Sequence, residues 1–142
     1  MREILFRAKR IDNGEWAEGY YQKRFGLLEE EEHYIFHSES YNVWEYAEID
    51  KDTICQYMGL TDKNGQKIWE HDIVRRTDLH LTEQPSVGII EYDVENTAFL
   101  IHWIDVVNYS PTYPWKDKIE VIGNVFDNPV PLTDYISGKE QQ

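Results

Sequence analysis

The sequence is poor in what most functional assignments rest on. Its 142 residues hold one cysteine, Cys55, so no internal disulfide can form, and a lone thiol argues for a reducing compartment. No uninterrupted apolar run is long enough to cross a bilayer. The first ten residues are broken by charges at positions 2, 3, 7, 9 and 10, leaving no continuous apolar core for a secretory signal. A cytoplasmic protein with no membrane partner is expected. A chain of this size buries about two-thirds of its unfolded surface and needs no metal or disulfide to hold a core. No internal repeat or linker divides it, so the expectation is a single domain over 1–136 with a frayed tail at 137–142.

Basic charge is the next shortage. Lys and Arg number 14 against 27 Asp and Glu, for a net charge of −13. Segment 29–50 holds eight acidic groups and no Lys or Arg, whereas 1–28 carries six basic and four acidic groups. Beyond Arg7/Lys9/Arg10 and Arg75/Arg76 no basic cluster exists to displace counterions from a phosphate backbone, which speaks against direct nucleic-acid binding. The acidity suits solubility, or a basic protein partner facing 29–50. Four adjacent carboxylates at Glu29 to Glu32 read as a solvated loop, since they repel and lack a nearby counter-charge in sequence.

Catalytic constellations are missing as well. There is no Cys-pair or His-Glu-x-x-His spacing. His33 and His37 lie about 13 Å apart if extended, too far to share an ion. His80 follows Asp78 closely but falls in a loop-like segment. Cys55 sits in an apolar strand, where burial makes a thiol inert. No serine has a nucleophile-elbow context, and Gly59 and Gly65 belong to turns rather than to a phosphate loop. Neither catalytic residues nor a metal or cofactor are expected, and the chain does not read as an enzyme. The carboxylate pair Glu70/Asp72 leaves one alternative open: acid–base work or ligand binding in a pocket beside it.

What the sequence does contain is alternation of period two. Ile4, Phe6 and Ala8 alternate with charges, Asn13-Gly14 supplies a tight turn, and Trp16 to Tyr21 returns. His33 to His37, Tyr41 to Trp44, Thr53 to Met58, Ile73 to Arg76, Val87 to Asp93, Ala98 to Ile104 and Lys118 to Ile122 are further strands. The fold class is mostly β. Asp62-Lys63-Asn64-Gly65 has an acceptor at the first turn position and a φ > 0 residue at the fourth. Glu70-His71-Asp72 reads as a corner where a strand changes sheets, its carboxylates binding exposed backbone donors. Pro129 and Pro131 end the ladders, and Leu132 to Ile136 suit one helical turn. Aromatic content is high, and Trp44, Tyr109, Tyr113 and Trp115, in loop-like segments, are candidates for an association surface.

Three blocks resemble the YopX family of phage and prophage proteins. They are Ile4-Leu5-Phe6-Arg7-Ala8 through Trp16, then Gln56 to Gly65 with Ile68, Glu70, Asp72, Ile73 and Val74, and finally Val121 to Pro129. His71 departs from the glycine usual between the two acidic residues, and Met58 from a threonine. The resemblance marks Tyr57, Gly59, Asp62, Gly65, Glu70, Asp72, Gly123 and Asn124 as motif residues of structural kind. It implies a meandering antiparallel sheet folded on itself into a barrel-like core. It further implies homo-oligomers of ring or tube form, a phage or prophage origin and no settled biochemical activity.

Overall fold

A computed structural model describes residues 2–40, 43–78, 84–106 and 108–128. The period-two pattern forms eleven strands and two short 3-10 turns. The strands are β1 (Phe6–Lys9), β2 (Trp16–Phe25), β3 (Glu31–Ser40), β4 (Val43–Glu48), β5 (Cys55–Thr61) and β6 (Lys67–Trp69), then β7 (Asp72–Arg76), β8 (Val87–Asp93), β9 (Ala98–Trp103), β10 (Asn108–Pro111) and β11 (Ile119–Asn124). They build two antiparallel sheets, ordered β4-β3-β2-β1-β5-β6 and β10-β9-β8-β7-β11. Among the described residues neither sheet closes into a barrel. Pro129, Pro131 and the expected helical turn at Leu132 to Ile136 lie outside the described residues, as do Tyr41, His80 and the tail. By its packing the chain divides into two compact units, 1–57 and 58–142.

Unit 1 is a meander with a thin core. Ala8 pairs with Ala17 across β1 and β2, and Tyr21, Ile35 and Ala47 stand opposite one another across β2, β3 and β4. Ala8, Ala17, Ile35, Ala47 and Ile49 cluster and are buried. Three of these five are alanines, so the sheet's inner face supplies little volume and Ile35 carries much of it. Asp50 accepts the Asp52 N–H at 3.0 Å, and the Thr53 hydroxyl accepts from Lys9 N at 2.8 Å, which fixes the 3-10 turn (Lys51–Thr53) beneath β1.

The expected loop at Glu29 to Glu32 is half strand. Glu31 and Glu32 begin β3, paired with Phe25 and Arg24. Lys23 reaches Glu31 at 2.9 Å, so the counter-charge missing along the sequence arrives across the hairpin.

Unit 2 is packed more heavily. Ile68, Val74, Ile90, Ile101, Trp103 and Ile119 form one buried cluster, with Met58, Phe99 and Trp115 against it. Ile73, Val87 and Ile89 form a second, with Ile104, Ile122 and Val125 packed on them. Gly88 lies where an added Cβ would stand 2.6 Å from Ile101, so the close approach of β8 to β9 excludes a side chain there. β10 is absent from the strands expected on sequence: its Asn108 to Pro111 offer almost no apolar pattern, yet Ser110 accepts the Trp103 indole N–H at 2.9 Å. No helix among the described residues is long and apolar enough to cross a membrane.

These packing differences give a direct test by chemical denaturation. Ile35→Ala truncates one of the two isoleucines of the unit 1 core cluster and should cost about 2–5 kcal/mol. Leu27→Ala, on a fully exposed side chain, should stay within about 0.5 kcal/mol of wild type.

Candidate functional site

The motif residues gather in unit 2 around the turn after β5 and the corner after β6. Gly59 and Gly65 have φ of 93° and 82°, the left-handed region that glycine enters without penalty. Between them Asp62 is 5% exposed. Its Oδ1 accepts the Asn64 and Gln66 N–H groups at 2.8 and 3.0 Å, and its Oδ2 accepts the Val121 N–H at 3.0 Å. Lys63 N donates to Ile119 O at 3.1 Å. A carboxylate with three backbone donors is satisfied as an acceptor and poorly placed to act on anything else. The turn therefore lies along the outer edge of β11 and occupies groups that would otherwise recruit another strand.

The corner follows the same logic. Asp72 is 1% exposed and its Oδ2 accepts the Trp69 N–H at 2.8 Å, folding β6 into β7 as the chain leaves one sheet for the other. His71 has φ of 71°, so the left-handed backbone that glycine would provide is retained with a side chain present. Its N–H donates to Ile90 O at 2.8 Å, its carbonyl accepts from Val125 N at 3.1 Å, and its ring meets Phe126 edge-on at 5.5 Å. Glu70 is half-buried at this corner. Gly123 and Asn124 complete the arrangement. Asn124 Oδ1 accepts the Phe126 and Asp127 N–H groups, and its Nδ2 donates to Asp127. A Cβ on Gly123 would stand 2.5 Å from the Asn128 side chain, which itself accepts the Asn124 N–H. Tyr57 belongs to unit 1, where its N–H donates to Leu5 O at 2.9 Å.

The motif thus organises backbone. Two clefts among the described residues are lined by neither Glu70 nor Asp72. One, of about 530 Å³, lies between the β8–β9 turn and β10, lined by Glu91, Tyr92, Asp93, Leu100 and Tyr109. The other, of about 490 Å³, lies in unit 1 beside Arg10, Glu32, His33 and Glu48. His33 is bridged between the Tyr21 hydroxyl at 2.5 Å and Glu31 at 2.9 Å. The Lys23 ammonium, with His33 second, holds the Glu31 carboxyl below its usual range. That contribution is present above the unfolded carboxylate pKa and is lost as pH falls through the lowered folded one. Cys55 is buried, its thiol directed to Thr53 O at 3.3 Å. Among the described residues, no three His, Cys, Asp or Glu side chains gather as a metal centre requires.

The surface aromatics separate into two kinds. Trp44 and Tyr46 stand exposed on β4, and both rings meet Phe36 of β3, at 5.7 and 5.3 Å. Phe36 in turn meets exposed Tyr20 of β2 at 5.8 Å. These four therefore share the face opposite the alanine core. Arg24 lies on the same face, 4.4 Å from the Tyr34 ring centroid and 5.9 Å from that of Tyr46. Tyr109 is exposed on β10 and stacks on His102 at 4.4 Å, and Tyr113 is exposed in a 3-10 turn (Tyr113–Trp115). Trp115, expected at the surface, is half-buried against Trp103 at 5.2 Å, with Arg76 over its ring at 4.5 Å. It serves the core edge rather than an open interface.

The family model described as YopX protein matches residues 5–133. No curated protein matches the sequence. Among solved structures the chain is similar to protein EF1440 from Enterococcus faecalis, at 25% identity and a TM-score of 0.52 over 91% of this chain and 97% of that one.

The backbone role of the motif predicts a graded mutational series, read from denaturation midpoints. Asp62→Ala removes the acceptor of the Asn64, Gln66 and Val121 N–H groups and should cost about 1–3 kcal/mol, with Asp62→Asn costing less. At the corner, His71→Gly should change stability by less than about 1 kcal/mol, because relief of the left-handed penalty offsets removal of the imidazole from Phe126. His71→Val, β-branched at positive φ, should cost more than about 2 kcal/mol.

Proposed function

The chain belongs to the YopX protein family, and we propose that it is a non-enzymatic interaction protein of phage or prophage origin that associates with further copies of itself. The observation that carries this reading is the exposed aromatic face of unit 1. Tyr20, Trp44 and Tyr46 are each about half exposed, around a Phe36 they only partly cover. Aromatic rings in a contiguous patch are costly to leave in water and are favoured at protein–protein interfaces. The two buried motif carboxylates do not compete with this reading, since Asp62 and Asp72 are committed to backbone donors. A basic host or phage protein is a second partner class that the net charge of −13 would suit. The cytoplasm of the host is the matching compartment.

Light scattering coupled to size-exclusion chromatography tests the proposal over a hundredfold range of concentration. Wild type should show mass rising with concentration to a multiple of the 17.0 kDa chain. Tyr46→Ser should move the midpoint of that rise upward by at least tenfold. A strict monomer throughout the range would overturn the proposal.

A further inference from the structure

Strands β2 and β3 run on past their neighbours. β1 pairs with β2 only from Trp16 to Gly19, and β4 pairs with β3 only from Tyr34 onward. Beyond those limits Lys23, Arg24 and Phe25 pair with His33, Glu32 and Glu31 as a two-stranded ribbon. At its end Leu27 and Leu28 are 102% and 89% exposed and Phe25 is 65% exposed. Three large apolar side chains at one tip give a folded chain nothing, because little of their surface leaves water.

The tip is nonetheless built with care. Gly26 N donates to Glu30 O at 2.8 Å, Glu29 N to Gly26 O at 3.0 Å, and Leu28 N to the Glu30 carboxylate at 2.9 Å. Glu29 takes a φ of 66° to close the turn. The Glu30 carboxylate folds over Gly26. At the base, Lys23 and His33 brace Glu31. A rigid turn that holds a left-handed glutamate to point two leucines at solvent is preorganised for docking, and preorganisation lowers the ordering cost of binding.

We infer that this ribbon is a docking finger, received by the cation–aromatic face of unit 1 on a second copy of the chain. The inference deepens the self-association proposed above and rests on it. The complement is present in the same molecule. The tip is apolar with the Glu29 and Glu32 carboxylates beside it, and the face offers the Tyr20, Phe36, Trp44 and Tyr46 rings, with the Arg24 guanidinium at the base of the ribbon 5.9 Å from the Tyr46 ring. Apolar tip meets aromatic surface, and carboxylate meets cation. The apolar tip at Phe25, Leu27 and Leu28 and the aromatic face are different surfaces, so the contact is head-to-tail and each copy keeps one unused tip or face for the next. The Glu29 and Glu32 carboxylates disfavour the other surface that takes exposed leucines, an anionic membrane.

The test is a mixing experiment by analytical ultracentrifugation. Leu27→Ser/Leu28→Ser removes the finger and leaves the face; Trp44→Ser/Tyr46→Ser removes the face and leaves the finger. Should the latter fold poorly by circular dichroism, Tyr20→Ser replaces it. Each variant alone should associate at least tenfold more weakly than wild type, and an equimolar mixture should form a heterodimer, one good finger in one good face. Wild-type association in the finger variant would overturn the finger while leaving self-association standing. A mixture that stays monomeric would overturn the head-to-tail pairing, and a monomeric wild type would remove both proposals. Binding of wild type, but not of the finger variant, to phosphatidylcholine or phosphatidylserine vesicles would assign the tip to lipid and overturn the inference.

Discussion

Three backbone N–H groups converge on one buried carboxylate, and much of unit 2 depends on that convergence. Asp62 closes its own turn through Asn64 and Gln66 and reaches across to Val121 on β11. With Lys63 N on Ile119 O, the turn becomes a lid on the β11 edge. That fixes where Ile119 enters the core beside Ile68, Val74 and Trp103, and with it the pairing of β11 on β7. Charge-assisted hydrogen bonds to a buried acceptor are among the stronger local constraints available to a small β domain. An apolar side chain at this position would leave both a turn and a sheet edge unsatisfied.

The same use of polar groups recurs through Asp72 and Asn124. Each is buried, and each binds main-chain donors at the point where the chain reverses. Asp72, one of the two carboxylates that first invite a catalytic reading, is therefore occupied in holding an irregular backbone. The two units divide the consequences unequally. Unit 2 turns its large aliphatic side chains inward, whereas unit 1 has an alanine-rich interior and directs Tyr20, Trp44, Tyr46 and its hairpin leucines outward. The association surface we propose lies on unit 1.

Much of this is legible in the sequence where local chemistry decides. The Asn13-Gly14 hairpin, the Asp62 to Gly65 turn and the Glu70 to Asp72 corner are short-range devices, and their residues state their geometry. Long-range effects are not legible. Glu31 reads as a repelled loop charge until β-pairing sets Lys23 beside it. Trp115 reads as a surface aromatic until Trp103, twelve residues earlier, packs against it. β10 is polar and is held by its long-range pairing with β9, the Tyr109 stack on His102 and the Ser110 bond to the Trp103 indole. Phe25, Leu27 and Leu28 carry no signal at all, because an apolar triplet before a charge run looks like the end of a buried strand. Only the lengths of β2 and β3 relative to β1 and β4 place it beyond the sheet.

Amide hydrogen exchange, followed residue by residue in wild type and Asp62→Ala under native conditions, addresses the central constraint directly. The account predicts that Val121, Asn64 and Gln66 lose protection together by at least tenfold, while amides within the β8–β9 ladder keep theirs. Unchanged protection at Val121 in the variant would contradict it, since the edge of β11 would then be held by something other than the Asp62 carboxylate.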